Sequence, residues 1–489
     1  MTTTYFPELA ERVRSQRELQ PSLYGDFDFE IEPYRLATKP HDVSALPSWA
    51  TGREAVLADD RVVELMSTAT FLGDVVADPY ASLLGAGYSL KALVGMLQTA
   101  CREGIDAVPN APDELKAFIG AMEATPAWLD MELVEEGARA ARVPAAFLSP
   151  FLIRGAFLAT FTNTYAALPM ALTGALSSRR AAHRVHETAN FFTVTTMPGA
   201  MERHGAGFEA AAMVRLMHSM VRYNALKRTD KWDAAVYGLP IPQVDQMPAG
   251  LINVFLIAVD VVRAGRTEFT RSEQAVVEFG RYRCFLLGLP EELLPSTPLE
   301  IVQVFTARSA LLRGGFDDET CGALVRSTME AQLRPGTSWF DRVAEAVEMS
   351  WSKDFFCRAF CNNDATQAKA MGVELTRADK RRVMLSRPFV LGRFIAVTLA
   401  EKVPGLRQLA DLYTVLVVKK RLVEYGNAEF TTDRWYSAHI KLSLSMQDSI
   451  TITWASPEQL EEVHRRNHRI RTRRPISTHW VSARSAHWK

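Results

Sequence analysis

Apolar residues recur at helical spacing along almost the whole of this 489-residue chain, and only one short segment alternates as a strand would. That pattern predicts an all-α protein. From Arg61 onward the amphipathic stretches follow one another closely, and the expected central helices cover about 145–176, 179–194, 206–228, 248–265 and 271–288. Stop signals sit where this reading needs them. Gly288-Leu289-Pro290 ends the last of these segments, and Pro112-Asp113 starts an earlier one. Pro126–Asp130 reads as a turn into the helix that follows. The alternating segment runs from Ser449 to Ser456.

The expected organisation has four parts. Residues 1–60, punctuated by Pro21, Pro33, Pro40 and Pro47, read as an irregular N-terminal extension. Residues 61–335 form the helical core. Residues 336–463 add further helices, at least in part a separate lobe. Residues 464–489 are a tail rich in Arg and His, read as solvated, with anionic surfaces as its alternative partner. A stretch without charge from Gly155 to Ser178 is long enough to cross a bilayer. It contains Asn163, Thr164 and Pro169, and the preferred reading is a buried core helix broken near Pro169, with no stable membrane span. Lys+Arg and Asp+Glu are equal at 56 each, which gives no reason to expect a nucleic-acid partner. Five cysteines without a framework suit a reducing compartment, and an N-terminus carrying Glu8 and Glu11 lacks the apolar region of a signal peptide. The expected location is cytoplasmic. Cys357 and Cys361 share a helix face but lack partners for a zinc site, and read as core or surface residues.

Histidine carries the first functional signal. Of ten histidines, four fall between positions 183 and 218. His218 lies beside Val214, Met217 and Val221 on an apolar helix face, where a core histidine and a metal ligand are both admissible readings. Arg215 and Arg222 stand at i−3 and i+4 on the same side. A haem iron takes one neutral imidazole as proximal ligand, and two bracketing arginines suit its propionates. A second cluster occupies 178–192. Arg184 and Thr188 share a face, with Arg180 and Glu187 within about a turn. An arginine, a hydroxyl and a carboxylate facing an open iron position would polarise dioxygen and steer protons; ordinary i,i+4 pairs on an exposed helix are the competing reading. His183, His186 and Glu187 match the HExxH zinc pattern poorly, because the histidines are three apart and the glutamate lies outside them. A non-haem iron or zinc site there stays open as an alternative.

At these residues the sequence resembles the latex-clearing protein (rubber oxygenase) and MpaB-type oxygenase family. Arg215-Leu216-Met217-His218 with Val221-Arg222 is similar to the family's proximal-histidine helix, and Arg184 with Thr188 to its distal pair. Tyr237–Ile241 with Gln243 and Asp245, and Gly280–Arg283 with Leu286–Pro290, resemble two further motifs in the right order. Pro126, Trp128–Asp130 and Thr173-Gly174 match weaker positions. The resemblance covers roughly 120–315. It implies a globin-like helical core, one haem b, oxidation with dioxygen, His218 as the iron ligand, and Arg184 and Thr188 as distal catalytic residues. The spacing itself puts Arg215 and Arg222 beside the cofactor, and Glu187 is read as the catalytic acid–base in place of the family's missing glutamate.

Two departures mark this chain. Glu187 stands where rubber-cleaving members carry lysine. No Asp or Glu occurs between Glu136 and Glu187, where those members place a glutamate. With the missing export signal, these features point away from an extracellular polymer and toward a small apolar or unsaturated substrate, oxidised by C=C cleavage or monooxygenation. A peroxide-dependent haem enzyme and a non-catalytic haem sensor are the alternatives.

Overall fold

The computed structural model describes residues 5–47, 52–172, 177–334 and 336–426. They belong to one compact unit, Met1–Thr432; Asp433–Lys489 cluster as a second unit outside the described residues. The alternating segment 449–456, the basic tail and Thr173-Gly174 therefore also lie outside them. Among the described residues no β-strand forms, and extended pairing is limited to two isolated bridges, Leu36 with Leu312 and Ser44 with Arg313. The all-α expectation holds.

Local chemistry explains most helix starts. Asp130 accepts the amides of Glu132 and Leu133 at 2.9 and 3.2 Å and so opens Met131–Phe147. Thr270 with Glu273, Ser338 with Asp341 and Thr376 with Asp379 each form a reciprocal cap at the start of Arg271–Leu286, Trp339–Phe360 and Arg377–Glu401.

Two expected boundaries move. The first 60 residues are not irregular throughout, because Pro7–Leu19 is a 13-residue helix. Its proline sits in the first turn, where no amide is needed. The expected 145–176 helix is three pieces. Met131–Phe147 and Ser149–Ala159 meet at 97°, and Thr164–Leu172 follows. Pro150 supplies the first break, since its ring removes an amide from the ladder. Asn163 supplies the second: its Oδ1 accepts the Tyr165 amide at 3.0 Å while Nδ2 donates to the Arg313 carbonyl at 2.8 Å. Pro169 itself lies inside a helix.

Residues 336–426 do not stand apart as a lobe. Arg154, fully buried, donates to Glu345 at 2.7 Å, to Glu348 at 2.9 Å and to the carbonyls of Thr328 and Ala331. A Cβ on Gly155 would lie 2.3 Å from the Ser352 carbonyl, so only glycine lets Ser149–Ala159 approach Trp339–Phe360 this closely. Arg142 ties Met131–Phe147 to Asp411 in the same way, at 2.5 Å. Removing either arginine would leave buried carboxylates or carbonyls without donors. All five cysteines are free and buried, and Cys321, Cys357 and Cys361 pack in one apolar cluster with Phe157 and Phe356.

Candidate active site

His218 sits near the middle of the 22-residue helix Ala206–Lys227, which is largely buried. Residues 215, 218 and 222 share one face, as their spacing requires. The surroundings of the two arginines differ from the expectation that they meet propionates. Arg215 donates from Nε and Nη2 to the two oxygens of Asp74, both at 2.7 Å. Arg222 donates to Asp78 and to the carbonyls of Pro240 and Ile241, at 3.0 and 2.6 Å for the carbonyls. Asp78 also accepts from the Tyr24 hydroxyl and from the Asp74 amide. These side chains are all but sealed from solvent. Burial works to raise the Asp74 pKa, but the Arg215 charge and hydrogen bonds, the Ala77 amide and the Arg222 charge together outweigh it and hold the carboxyl below its usual range. Burial pushes Asp78 upward, yet three donors converge on it, and the Arg222 guanidinium is held firmly charged by its partner.

The Tyr237–Gln246 turn closes this side. Its Pro240 and Ile241 carbonyls face Arg222, Gln243 donates to the Gly73 carbonyl at 3.1 Å, and Asp245 clamps Arg35 and Arg308 at 2.7 and 2.9 Å. Gly288, with φ near 91°, lies against the Asp74–Arg215 pair; a Cβ there would come within 2.9 Å of Asp74. Arg281 stacks on Trp128 at 4.0 Å and Arg283 on Phe192 at 4.8 Å, so the Gly280–Arg283 and Trp128 positions are packing elements.

The His218 ring is deeply enclosed. Burial, then the nearby Arg222 charge, lower its pKa to about 4, so the imidazole is neutral at neutral pH. The Gln246 amide lies against the ring and acts on its titration as a hydrogen-bonding group. No aligned bond closes, however, and both His218 Nδ1 and Gln246 Oε1 are buried without partners. His218 nevertheless keeps an intermediate exposure, as do Val214 and Met217 on the same helix and Arg184, Glu187 and Thr188 on Ser178–Val194. These side chains are therefore not fully covered by their neighbours. A neutral imidazole that keeps accessible surface can hold a cofactor metal.

Across that seam, Arg184 donates to the Met217 sulfur at 2.8 Å and to Glu187 at 3.0 Å. Its charge reaches His218, where it favours the neutral ring. Glu187 also receives His183 Nε2 at 3.0 Å. Burial works to raise the Glu187 pKa, but the His183 hydrogen bond and the Arg184 charge prevail and hold it low, while the Glu187 bond raises His183. Thr188 is half-buried on the next position. His186 turns away to Tyr425, ring centroids 5.9 Å apart, and His204 bonds the Cys101 carbonyl at 3.1 Å. Among the described residues no three His, Cys, Asp or Glu side chains converge as a metal site, and His183 and His186 diverge. Sequence reasoning missed Asp74, Asp78 and Gln246. Two acids four apart in an otherwise apolar segment, matching two arginines on one helix face, were the available signal for the aspartates.

The family profile for ER-bound oxygenase mpaB/B'/rubber oxygenase, catalytic domain, matches residues 142–396. The chain belongs to this family. The matched residues include both helices that meet at His218. Among solved structures, latex clearing protein LCP in the closed state is similar at 16% identity and a TM-score of 0.47, covering 73% of this chain and 91% of that one. No curated protein matches significantly. Membership in the mpaB/rubber oxygenase family makes oxygenase chemistry the reference for the site.

Proposed function

We propose that this protein is a haem-dependent oxygenase that uses dioxygen on a small apolar or unsaturated molecule, with His218 as the iron ligand. The observation that carries the reading is a neutral, deeply set imidazole with an unpartnered Nδ1 and some remaining accessible surface, on a helix whose Met217 meets the Arg184–Glu187 pair. These features fit the group. Haem b binding needs a neutral histidine whose far nitrogen is steered by a neighbour, and Gln246 stands where it could take the Nδ1 proton's hydrogen bond. Haem b would supply the iron at which dioxygen is activated for transfer to the substrate.

The protein's own groups do the rest. Nδ1–H turned toward Gln246 Oε1 would leave the Nε2 lone pair for the metal. Arg184 supplies a fixed positive charge and N–H donors toward the seam, and the Thr188 hydroxyl adds a donor one turn on. Glu187, kept ionised by His183 and Arg184, accepts a proton and returns it. The apolar side chains of Ser149–Ala159 and Thr164–Leu172 exclude water from the neighbourhood. Arg215 and Arg222 act on the cofactor indirectly, by fixing the helix that carries His218.

The test is spectroscopic. Purified or haem-reconstituted protein should show a Soret band, lost in His218→Ala and kept in His204→Ala. Protein that takes up no haem would overturn the reading. Arg184→Ala and Thr188→Ala should each lower turnover of alkene substrates by about 10–1000-fold; unchanged rates would remove both from the reaction.

A further inference from the structure

Helices Arg377–Glu401 and Arg407–Glu424, joined by five residues, bury one face and leave the other bare. Val390, Leu391 and Val397 of the first, and Ala410 and Val418 of the second, pack inward. Outward, Leu385, Phe389 and Leu399 are 77%, 60% and 56% exposed, and Leu409, Leu412 and Leu416 are 64%, 58% and 57% exposed. Each set repeats at about helical spacing, so each forms a stripe. The first helix is long and apolar enough to cross a bilayer, yet only 22% of its most apolar window is buried. Continuous bare apolar stripes of this kind are interaction surfaces.

Charge identifies the partner. Between Arg377 and Gly426 there are eleven basic and four acidic side chains. Two of the acids are engaged inward, Asp379 with Ser350 and Lys353, and Asp411 with Arg142. At the head of the stripe lies a cavity of about 420 Å³ lined by Arg334, Arg342 and Arg382, among others. Its carboxylates are already satisfied: Asp341 by the Ser338 cap, Glu345 by the amides of Leu333 and Arg334 and by Arg154, and Asp379 by Thr376, Lys353 and, at 3.2 Å, Arg382 itself, so Arg334 and Arg342 are the arginines that carry the cavity's positive charge. Arg382 precedes Leu385 and Phe389 by three and seven residues, so cavity and stripe share one helix face. Trp339 and Phe340, 70% and 63% exposed, adjoin the residues that line the cavity.

We propose that this face docks on a bilayer surface containing anionic phospholipid. The leucine and phenylalanine stripes enter the interface, and the arginine-lined cavity takes a lipid phosphate. Apolar helices flanked by arginine and lysine bind such surfaces through both terms together. A second copy of the chain would bring the same positive charge to the contact. So would residues 427–489, with ten basic against six acidic side chains. The attachment lies in the plane of the membrane and does not depend on His218.

The experiment is co-sedimentation of the full chain with phosphatidylcholine vesicles and with vesicles of phosphatidylcholine and phosphatidylserine at about 7:3. Binding to the anionic vesicles should be at least about tenfold stronger and should fall with salt. Leu385→Asp with Leu416→Asp should reduce it by more than about tenfold, with helicity and thermal unfolding unchanged. Arg342→Gln, an exposed substitution that leaves the fold alone, should weaken it about fivefold and so tests the idea even if the aspartate pair misfolds. Equal or absent binding to the two vesicles overturns the proposal. So does self-association abolished by Leu385→Asp, which would assign the stripe to a second copy. Retention of inorganic phosphate in the cavity without vesicle binding also overturns it, because the arginines would then serve a free anion.

Discussion

The two sides of the His218 helix are built on opposite terms. On one side Arg215, Arg222, Asp74, Asp78 and Tyr24 form a sealed network in which nearly every donor has an acceptor. On the other, Arg184, Glu187, Thr188 and Met217 keep part of their surface open, and His218 Nδ1 stays unpartnered between the two. The sealed side has no freedom left to change partners, so it fixes position. The open side holds groups ready for a ligand at some cost in stability. Mutations should therefore separate the two, with large stability effects and indirect functional ones on the sealed side and the reverse on the open side.

The sharpest way to break this comparison is Arg222→Met. It strands a buried Asp78 and should cost about 3–5 kcal/mol in urea unfolding. A loss under about 1 kcal/mol would mean the network is not sealed. Replacing both partners, Arg222→Met with Asp78→Leu, should recover much of that loss, because no unpaired charge remains.

Next in size is the pH dependence that His218 imposes. Its folded pKa, about 4, lies below the ordinary 6.5. Between those values the unfolded chain binds a proton that the folded one refuses. Stability of the haem-free protein should then fall as pH drops from about 6.5 to about 4, by about 3 kcal/mol, with no contribution from this residue above pH 6.5. His218→Leu should remove that component of the slope, measured as the difference between the two proteins' melting curves across the range. Identical slopes would place the imidazole in water.

The smallest stability effect belongs to the open side. Glu187→Gln should change stability by less than about 1 kcal/mol, since His183 is half-exposed. The pair's contribution is present above the lowered Glu187 pKa and below the raised His183 pKa, and it is lost beyond either limit. In Glu187→Gln the His183 titration seen by NMR should move down toward its ordinary value. Turnover should fall far more than stability does. A variant that unfolds would put Glu187 with the structural residues instead.

Much of this was legible in the sequence because its causes are local. Helical periodicity, the Pro112-Asp113 start and the Gly288 stop signal each act within a few residues, and each appears where expected. The Met131–Leu172 region was harder. Its apolar run shows no periodic break, and the decisive turns come from Pro150 and from Asn163 bonding a carbonyl 150 residues away. The His218 face was visible for the same local reason, as was the Arg184–Glu187–Thr188 grouping.

The sequence by itself determined the helical class, the placement of His218 among apolar neighbours and the presence of arginines one turn to either side. Only the tertiary structure decided what those arginines do. Asp74 and Asp78 lie about 140 residues away, and a buried guanidinium takes whichever carboxylate packing delivers to it. Spacing along a helix fixes which way a side chain points. What it meets there is set by the rest of the fold, because desolvation forces each buried charge to find its partner among distant residues.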